Sequence, residues 1–413
     1  MSFTPLHRAL GLPSSILTDE ILNAAVAAGA VETDDLDWKS ELPPIKNLSQ
    51  TDVPKDIAAM ANSGGGMIVY GVKENQKVAT GRADTGEFSE GHERAYRSVA
   101  ITAIVPPVFG IEIYRLGINT RAVAVSVPAS VDGPHLIYKN DYFGAPIRND
   151  ADTAWMKERQ IEAMYRARFN ERRRATDALD GLYRESVEEH DTSTRAWLIA
   201  AAHPRIPVLA RPDRDEVRKV FERAREITLT YSNRSGIHPV ENINYLNPRP
   251  GLRRWIAVNT ATGSQQWQEA WASVHHDGSV SLASAVGGHR KSADGYFDGW
   301  QVEGRGIEGA VADFMALIRA TADALHIDEY EVRVGVEWVG NEPLSILTVD
   351  GSNFTYDGAS TPLRRFTPVS STITATGSDD SFHRQVHDLA EDCVNQGGIT
   401  YLQMISAPPE ADD

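Results

Sequence analysis

The stretch that most constrains this chain is residues 52–74, DVPKDIAAMANSGGGMIVYGVKE. Ile57, Met60 and Ala61 recur at helical spacing, Asp52 stands at the N-cap position and Pro54 in the first turn, so the pattern predicts a helix over 52–62. Asn62, Ser63, Gly64, Gly65 and Gly66 end it, and residues 67–72 (MIVYGV, with Gly71 inside) read as a short buried strand. The glycine run leaves a helix rather than entering one, and no Gly-Lys-Ser/Thr follows. It is therefore neither a dinucleotide fingerprint nor a Walker loop. A C-terminal helix cap, with glycines for positive φ and tight packing, is the favoured reading over the cradling of a nucleotide.

Around this unit the chain reads as a two-domain α+β protein. A helix is predicted over 14–30, capped by Ser14 or Ser15 and ending near Gly29, and another over 88–104, stopped by Pro106-Pro107. Strands follow at 109–115 and 121–127, then an extended stretch from His135 to Arg148. A long helix is expected from Asp152 through Arg172-Arg173-Arg174 toward residue 189, with Ile161, Met164, Tyr165 and Phe169 at helical spacing. The polar stretch 185–193 marks the domain boundary. Further on, Asp277-Gly278 between apolar runs signals a type I′ hairpin. Val332, Val334, Val336 and Trp338 alternate as a half-buried strand. Helices are predicted over 308–325 and 380–395. The tail 407–413 reads as disordered, and no internal repeat is found.

The 413 residues are enough for two domains, and no apolar run reaches the ~18 residues a membrane helix needs. The N-terminus lacks a secretory pattern, so a cytoplasmic location is the default. Cys393 is the single cysteine, which excludes an internal disulfide and a Cys-rich zinc site. The net charge of −16 is uneven. Residues 1–175 hold 20 Lys/Arg against 22 Asp/Glu, and residues 176–413 hold 21 against 35. The acidic second half is a poor polyanion binder, so nucleic-acid contact is sought in the first half and a protein partner or regulation in the second.

Two acids five residues apart, Glu32 and Asp37, with Glu74 at the end of the nearby strand, suit Mg²⁺ or Mn²⁺, because hard cations prefer oxygen ligands. Lys39 suits a phosphate as a point charge. By spacing alone the acids fit a solvated loop better. Lys46 and Lys55 sit near the same segment. Arg166, Arg168, Arg172, Arg173 and Arg174 are the densest basic cluster, suited to phosphates or to pairing along a solvated helix. His383 and His387 have a metal-compatible spacing without an identifiable third ligand. His275-His276 is expected to be exposed, Cys393 to lie in a core, and Trp267, Trp271, Trp300 and Trp338 to fill one.

Asp37-Trp38-Lys39 followed by residues 56–74 resembles the AlbA-type domain of Schlafen proteins. The family pattern is an E-F-K, a helix, A-F-A-N-T-x-G-G, a strand and G-V-x-D. Residues 142–148 (YFGAPIR) and the helix through Arg159-Gln160-Ile161 are similar to its closing strand and helix. The resemblance covers about residues 30–170, with the Ala-Asn-Ser-Gly-Gly-Gly unit as its most specific part. Residues 193–413 show none.

The resemblance implies a mixed sheet with helices at 30–172, after an N-terminal helical segment at 1–29. A helical linker, 173–192, would then lead to an acidic α+β domain, 193–413. Bacterial members are described as DNA-binding or transcription-regulator domains. Eukaryotic Schlafen cores are metal-dependent endoribonucleases acting on tRNA and rRNA through three acids, whose matching positions here are Glu32, Asp37 and Glu74. Asp37 replaces Glu and Glu74 replaces Asp, so charge is kept while each carboxylate moves by one methylene. Trp38 replaces Phe, and the zinc set of eukaryotic members is not expected. The resemblance thus implies nucleic-acid engagement, in one version as an Mg²⁺- or Mn²⁺-dependent endoribonuclease on structured RNA. The alternatives are a non-catalytic DNA-binding regulator and a protein-sensing component of a bacterial defence system. Schlafen-like domains often pair, so a homodimer is compatible, though no residue pattern marks a dimer face.

Overall fold

The computed structural model describes residues 3–139, 142–208, 210–233, 237–259, 269–288, 291–292, 295–349, 355–356 and 360–409. The protein is mixed α+β, and the chain divides into two compact units, Met1–Glu171 and Arg172–Asp413.

The first unit begins with helices α1 (Pro5–Leu10) and α2 (Asp19–Ala27). Strand β1 (Leu36–Lys39), helix α3 (Val53–Asn62) and strand β2 (Gly66–Tyr70) follow. β1 and β2 are parallel, so α3 is the crossover that parallel pairing requires. A hairpin, β3 (Val72–Asn75) and β4 (Val78–Arg82), leads to helix α4 (Glu90–Thr102) and the short β5 (Ile104–Val105). Strands β6 (Glu112–Leu116) and β7 (Ala122–Val127) complete a four-stranded sheet in the order β1-β2-β7-β6.

Period-two alternation sends the two faces of this sheet into separate cores. Ile68, Tyr70, Val123 and Val125 pack with Ile57, Met60 and Tyr96 of α3 and α4. Leu36, Trp38, Met67 and Val69 pack with Leu6 and Leu22 of α1 and α2. Beyond the sheet, β8 (Leu136–Lys139) pairs with β5 and β9 (Tyr142–Gly144), and β10 (Pro146–Asn149) pairs with β11 (Asp152–Trp155).

Helix α5 (Glu158–Glu188) runs through the division between the units. It starts six residues later than periodicity predicts, because residues 152–155 are taken by the β10–β11 pair. The helix expected over 14–30 is confined to α2, capped at Thr18. The additional α1 carries readable signals, Pro5 in its first turn and a left-handed Gly11 at its end.

The second unit is built on β12 (Trp197–Pro204), α6 (Arg214–Tyr231), α7 (Pro239–Asn242), β13 (Arg249–Gly251), β14 (Arg254–Asn259), β15 (Ala270–His275) and β16 (Val280–Ala285). After them come β17 (Lys291–Ser292), β18 (Gly295–Tyr296), β19 (Gln301–Glu303), α8 (Gly304–Leu325), β20 (Glu329–Glu337), β21 (Ser345–Val349), β22 (Thr355–Tyr356), β23 (Val369–Thr374) and α9 (Asp379–Asn395). Seven strands form an antiparallel sheet in the order β13-β14-β15-β16-β12-β20-β23.

Leu198, Ala200 and Ala202 of β12 face a core shared with α6, α8 and α9. The alternate residues Trp197, Ile199 and Ala201 face Leu179 and Tyr183 of α5. The stretch 173–192, expected as a linker, is therefore part of this unit's packing. Tyr183 also donates its hydroxyl to Glu337 Oε1 at 2.6 Å.

The turn at Asp277-Gly278 differs from the expected type I′. His275 N–H donates to Ser279 O at 2.8 Å, Gly278 N–H to His275 O at 3.1 Å, and only Gly278 is left-handed. That is a three-residue loop with a glycine bulge. His275 and His276 are half-buried rather than exposed, and burial pushes the His275 imidazole down to about 4. Cys393 is buried in the α9 core as expected. Trp271, Trp300 and Trp338 are partly buried against the unit's cores. Trp267 and the tail from residue 410 lie outside the described residues. No helix among the described residues is long and apolar enough to cross a membrane.

Candidate functional site

The signature unit is a framework. Gly65 N–H donates to Met60 O at 2.9 Å, the long back-bond that closes a glycine-capped helix. Gly64, Gly65 and Gly71 have positive φ. A Cβ on Gly66 would stand 2.4 Å from Met60 Sδ and 2.8 Å from Asp35 O, so the helix end meets the start of β1 only through a glycine. Asn62 ties this corner to residues far along the chain. Its Oδ1 accepts from His135 N–H at 2.7 Å, and its Nδ2 donates to His135 O at 3.0 Å and Pro146 O at 2.8 Å. Ser63 Oγ accepts the Arg148 N–H at 2.8 Å, which fixes the strand that carries Arg148.

The result is a buried charge cluster. Leu36 and Trp38 of β1 face the α1–α2 core, so Asp37 and Lys39 share the opposite face of the strand. Asp37 is 3 % exposed. Lys39 Nζ lies 2.7 Å from its Oδ2, and Arg148 Nη1 donates to its Oδ1 at 3.2 Å. Arg148 is buried too and also donates to Thr33 O at 3.2 Å and Ala151 O at 3.0 Å. Asp56, on the first turn of α3, lies 3.8 Å from Lys39 Nζ and 3.9 Å from Lys55 Nζ.

Burial pushes the Asp56 carboxyl up to about 6, against the pull of Lys39. Burial alone would lower the Lys39 ammonium. The Asp37 and Asp56 charges outweigh it and raise the group instead. Arg148 and Asp56 are the members that spacing analysis gave no role. Both lie in segments that resemble the family: Arg148 ends residues 142–148, and Asp56 begins residues 56–74.

Each of the three acids expected to act together already has a donor. Glu32 Oε1 accepts the Trp38 N–H at 3.1 Å. Burial raises its carboxyl, the Trp38 N–H opposes this, and the nearby Asp37 and Glu74 charges add to the rise. Glu74 is exposed and accepts the Lys77 N–H at 2.7 Å. That contact closes the β3–β4 turn, whose two central residues, Gln76 and Lys77, both have positive φ. Such a turn normally calls for Asn and Gly, so Glu74 is used locally to hold it.

Among the described residues, only His387, Asp388 and Glu391 bring three such ligand atoms within 4.8 Å of one another. Glu32, Asp37 and Glu74 do not. With Asp37 neutralised by two cations and the other carboxylates engaged by backbone donors, these residues do not fit a divalent cation in this arrangement.

The expected basic residues are dispersed. Lys55 pairs with Asp52 at 2.8 Å, Arg166 with Glu162 at 2.6 Å, and Arg173 with Asp177 at 4.0 Å. Arg168 lies 3.6 Å from Asp132 and is mostly buried. Arg172 and Arg174 are exposed, in the second unit with Arg173. Lys46 is exposed with no ion-pair partner among the described residues. Of the helical pair, His383 Nε2 meets Ser406 O at 2.8 Å instead of joining His387.

Residues 32–157 match the model of the family described as Schlafen, AlbA_2. Among solved structures, the chain is similar to the DIP2311 protein from Corynebacterium diphtheriae, at 13 % identity and a TM-score of 0.24, covering 49 % of this chain and 33 % of that one. The chain thus spans about a third of that protein. It is also similar to the N-terminal domain of a protein described as RecG-related, from Nitrosomonas europaea. There the identity is 14 % and the TM-score 0.25, with 32 % of this chain and 89 % of that one covered. No curated protein matches. The Asn62 latch, the glycine-capped α3 and the Arg148 strand all lie inside the segment, residues 32–157, that matches the Schlafen AlbA_2 family model.

Proposed function

We infer that residues 32–157 form a nucleic-acid-binding module that does not cut its ligand. The observation that carries this reading is the double clamp on Asp37. Arg148 donates to its Oδ1 and the Lys39 ammonium lies 2.7 Å from its Oδ2, and a cation would have to displace both charges. The match of residues 32–157 to the AlbA_2 family model supports nucleic acid as the ligand. The matched segment holds 13 Lys/Arg against 17 Asp/Glu, so a broad polyelectrolyte term does not drive binding. Each phosphate contact adds ~0.9 to the salt slope, so the log–log dependence should be shallow. Lys46 is the contact to reverse first, because its charge is not used inside the fold.

The test incubates wild type and a Glu32/Asp37/Glu74 triple alanine variant with tRNA, rRNA and single- and double-stranded DNA, each with Mn²⁺, Mg²⁺ or EDTA. Mobility shifts without strand scission are expected, weakened by Lys46→Glu. Metal-dependent cutting that disappears in the variant would overturn the reading in favour of an endoribonuclease or deoxyribonuclease. The absence of any shift at physiological salt would overturn it in favour of a protein-sensing role.

A further inference from the structure

The second unit holds a cleft of about 560 Å³ that the reading above does not use. It opens between the first turns of α6, the last turns of α8 and the segment 210–212. Its floor is apolar: Val217, Val220, Val274 and Ala320 are all buried. Small residues, Ala210, Ala320 and Ala324, stand among the longer side chains that line it. A cleft of this size, with an apolar floor and a few polar groups at the mouth, is what small-molecule sites have in common.

The mouth has a definite charge. Arg211, Lys219 and Arg223 stand against Glu216 and Asp323. Both acids are engaged on their own helices: Glu216 Oε2 accepts the Asp213 N–H at 2.7 Å, and Asp323 lies 4.0 Å from Arg319 Nε. Arg223 pairs with Glu226 at 2.9 Å. Among the described residues, Arg211 and Lys219 have no ion-pair partner; Glu216 keeps its charge, because its donor is a neutral N–H, and three cations against two acids leave the rim net positive. This stands out in a unit whose residues 172–413 hold 24 Lys/Arg against 35 Asp/Glu.

We propose that the α6–α8 cleft binds a small amphipathic anion, its apolar body on Val217, Val220 and Ala320 and its carboxylate or sulfonate at Arg211 and Lys219. The acidic surroundings repel anions elsewhere on the unit, so the rim cations select the orientation as well as the charge of the ligand.

The test titrates the full chain with the fluorescent probe anilinonaphthalene sulfonate, then competes it with decanoate, decanol or decylamine. A single saturable site is expected, displaced by decanoate far better than by decylamine, with decanol between them. Arg211→Glu combined with Lys219→Glu should weaken probe binding about tenfold or more, as loss of charge-assisted contacts does. Ala324→Trp, at an exposed position on the cleft wall, should abolish it while circular dichroism remains that of wild type. The absence of a saturable site would overturn the proposal. So would equal displacement by decylamine, or unchanged binding in the folded Ala324→Trp variant.

Discussion

Asp37 in the first unit and Asp313 in the second are both buried carboxylates, yet they are held in opposite ways. Asp37 is clamped by two long side chains, and one of them, Lys39, is 38 % exposed. Asp313 is held by one backbone N–H and two short, buried side chains. Thr228 Oγ1 donates to it at 2.9 Å, Val240 N–H at 2.9 Å, and His238 Nδ1 lies 2.8 Å away. Glu308 repeats the second pattern, accepting from the N–H groups of Gln403 and Met404 at 2.9 and 2.6 Å. Backbone donors lose no rotamer freedom on pairing, and short buried side chains such as Thr and His lose less than Lys and Arg stems do. The second unit therefore uses its buried acids as fixed pegs, and the first keeps its acid behind a latch with one solvent-facing arm.

The largest break in this comparison should come from Asp313→Ala. It strands a buried imidazole, a hydroxyl and an N–H, and should cost about 3–5 kcal/mol, read as urea unfolding of the second unit. A loss under about 1 kcal/mol would mean that the peg is not structural. Arg148→Met should destabilise the first unit by about 2–4 kcal/mol, because Asp37 keeps only Lys39 and two backbone carbonyls lose their donor. If Arg148→Met left the urea midpoint unchanged, the clamp would be decoration.

The two units should also lose stability in different pH windows. His238 is raised to about 9: burial opposes the charge, but the Asp313 contact outweighs it. The folded state therefore holds its proton more tightly than the unfolded chain does. The stabilisation is complete below about 6.5 and lost as pH rises through about 9, and it should be missing from His238→Gln. Asp56 sits at about 6 against an ordinary 3.8, chiefly through burial. The sign is the same, but the loss falls between about 4 and 6, and Asp56→Asn should flatten it. Melting temperatures across both windows would separate the units, and a shared window would erase the distinction. The smallest effect should be that of Lys39→Met, about 1 kcal/mol or less, since its arm is partly solvated.

Much of the fold was legible because it rests on local periodicity. The helix at 53–62, the β6–β7 pair, the alternation of β20 and the apolar stripe of α9 each follow from residue spacing. The departures lie where partners distant in sequence decide. Residues 152–155 look helical by themselves and become a strand through pairing with 146–149. The β3–β4 turn carries Gln76-Lys77 with no glycine, and is held by a side chain three residues before its last member.

The candidate site divides in the same way. Glu32, Asp37 and Lys39 are close in sequence, and their nearness in space follows from a short loop leading into a strand. The glycines of 64–66 and the helix they cap are likewise local, because a left-handed backbone and a close approach leave few other residues tolerable. What the three acids have available to them was decided only by tertiary structure. Arg148 is 111 residues from Asp37 in sequence and 3.2 Å from it in space. A charge is governed by what surrounds it in three dimensions, with a strength that grows as water is excluded. The acidic residues themselves can be read from the sequence, but whether their charge is free for chemistry depends on the partner the fold brings to them.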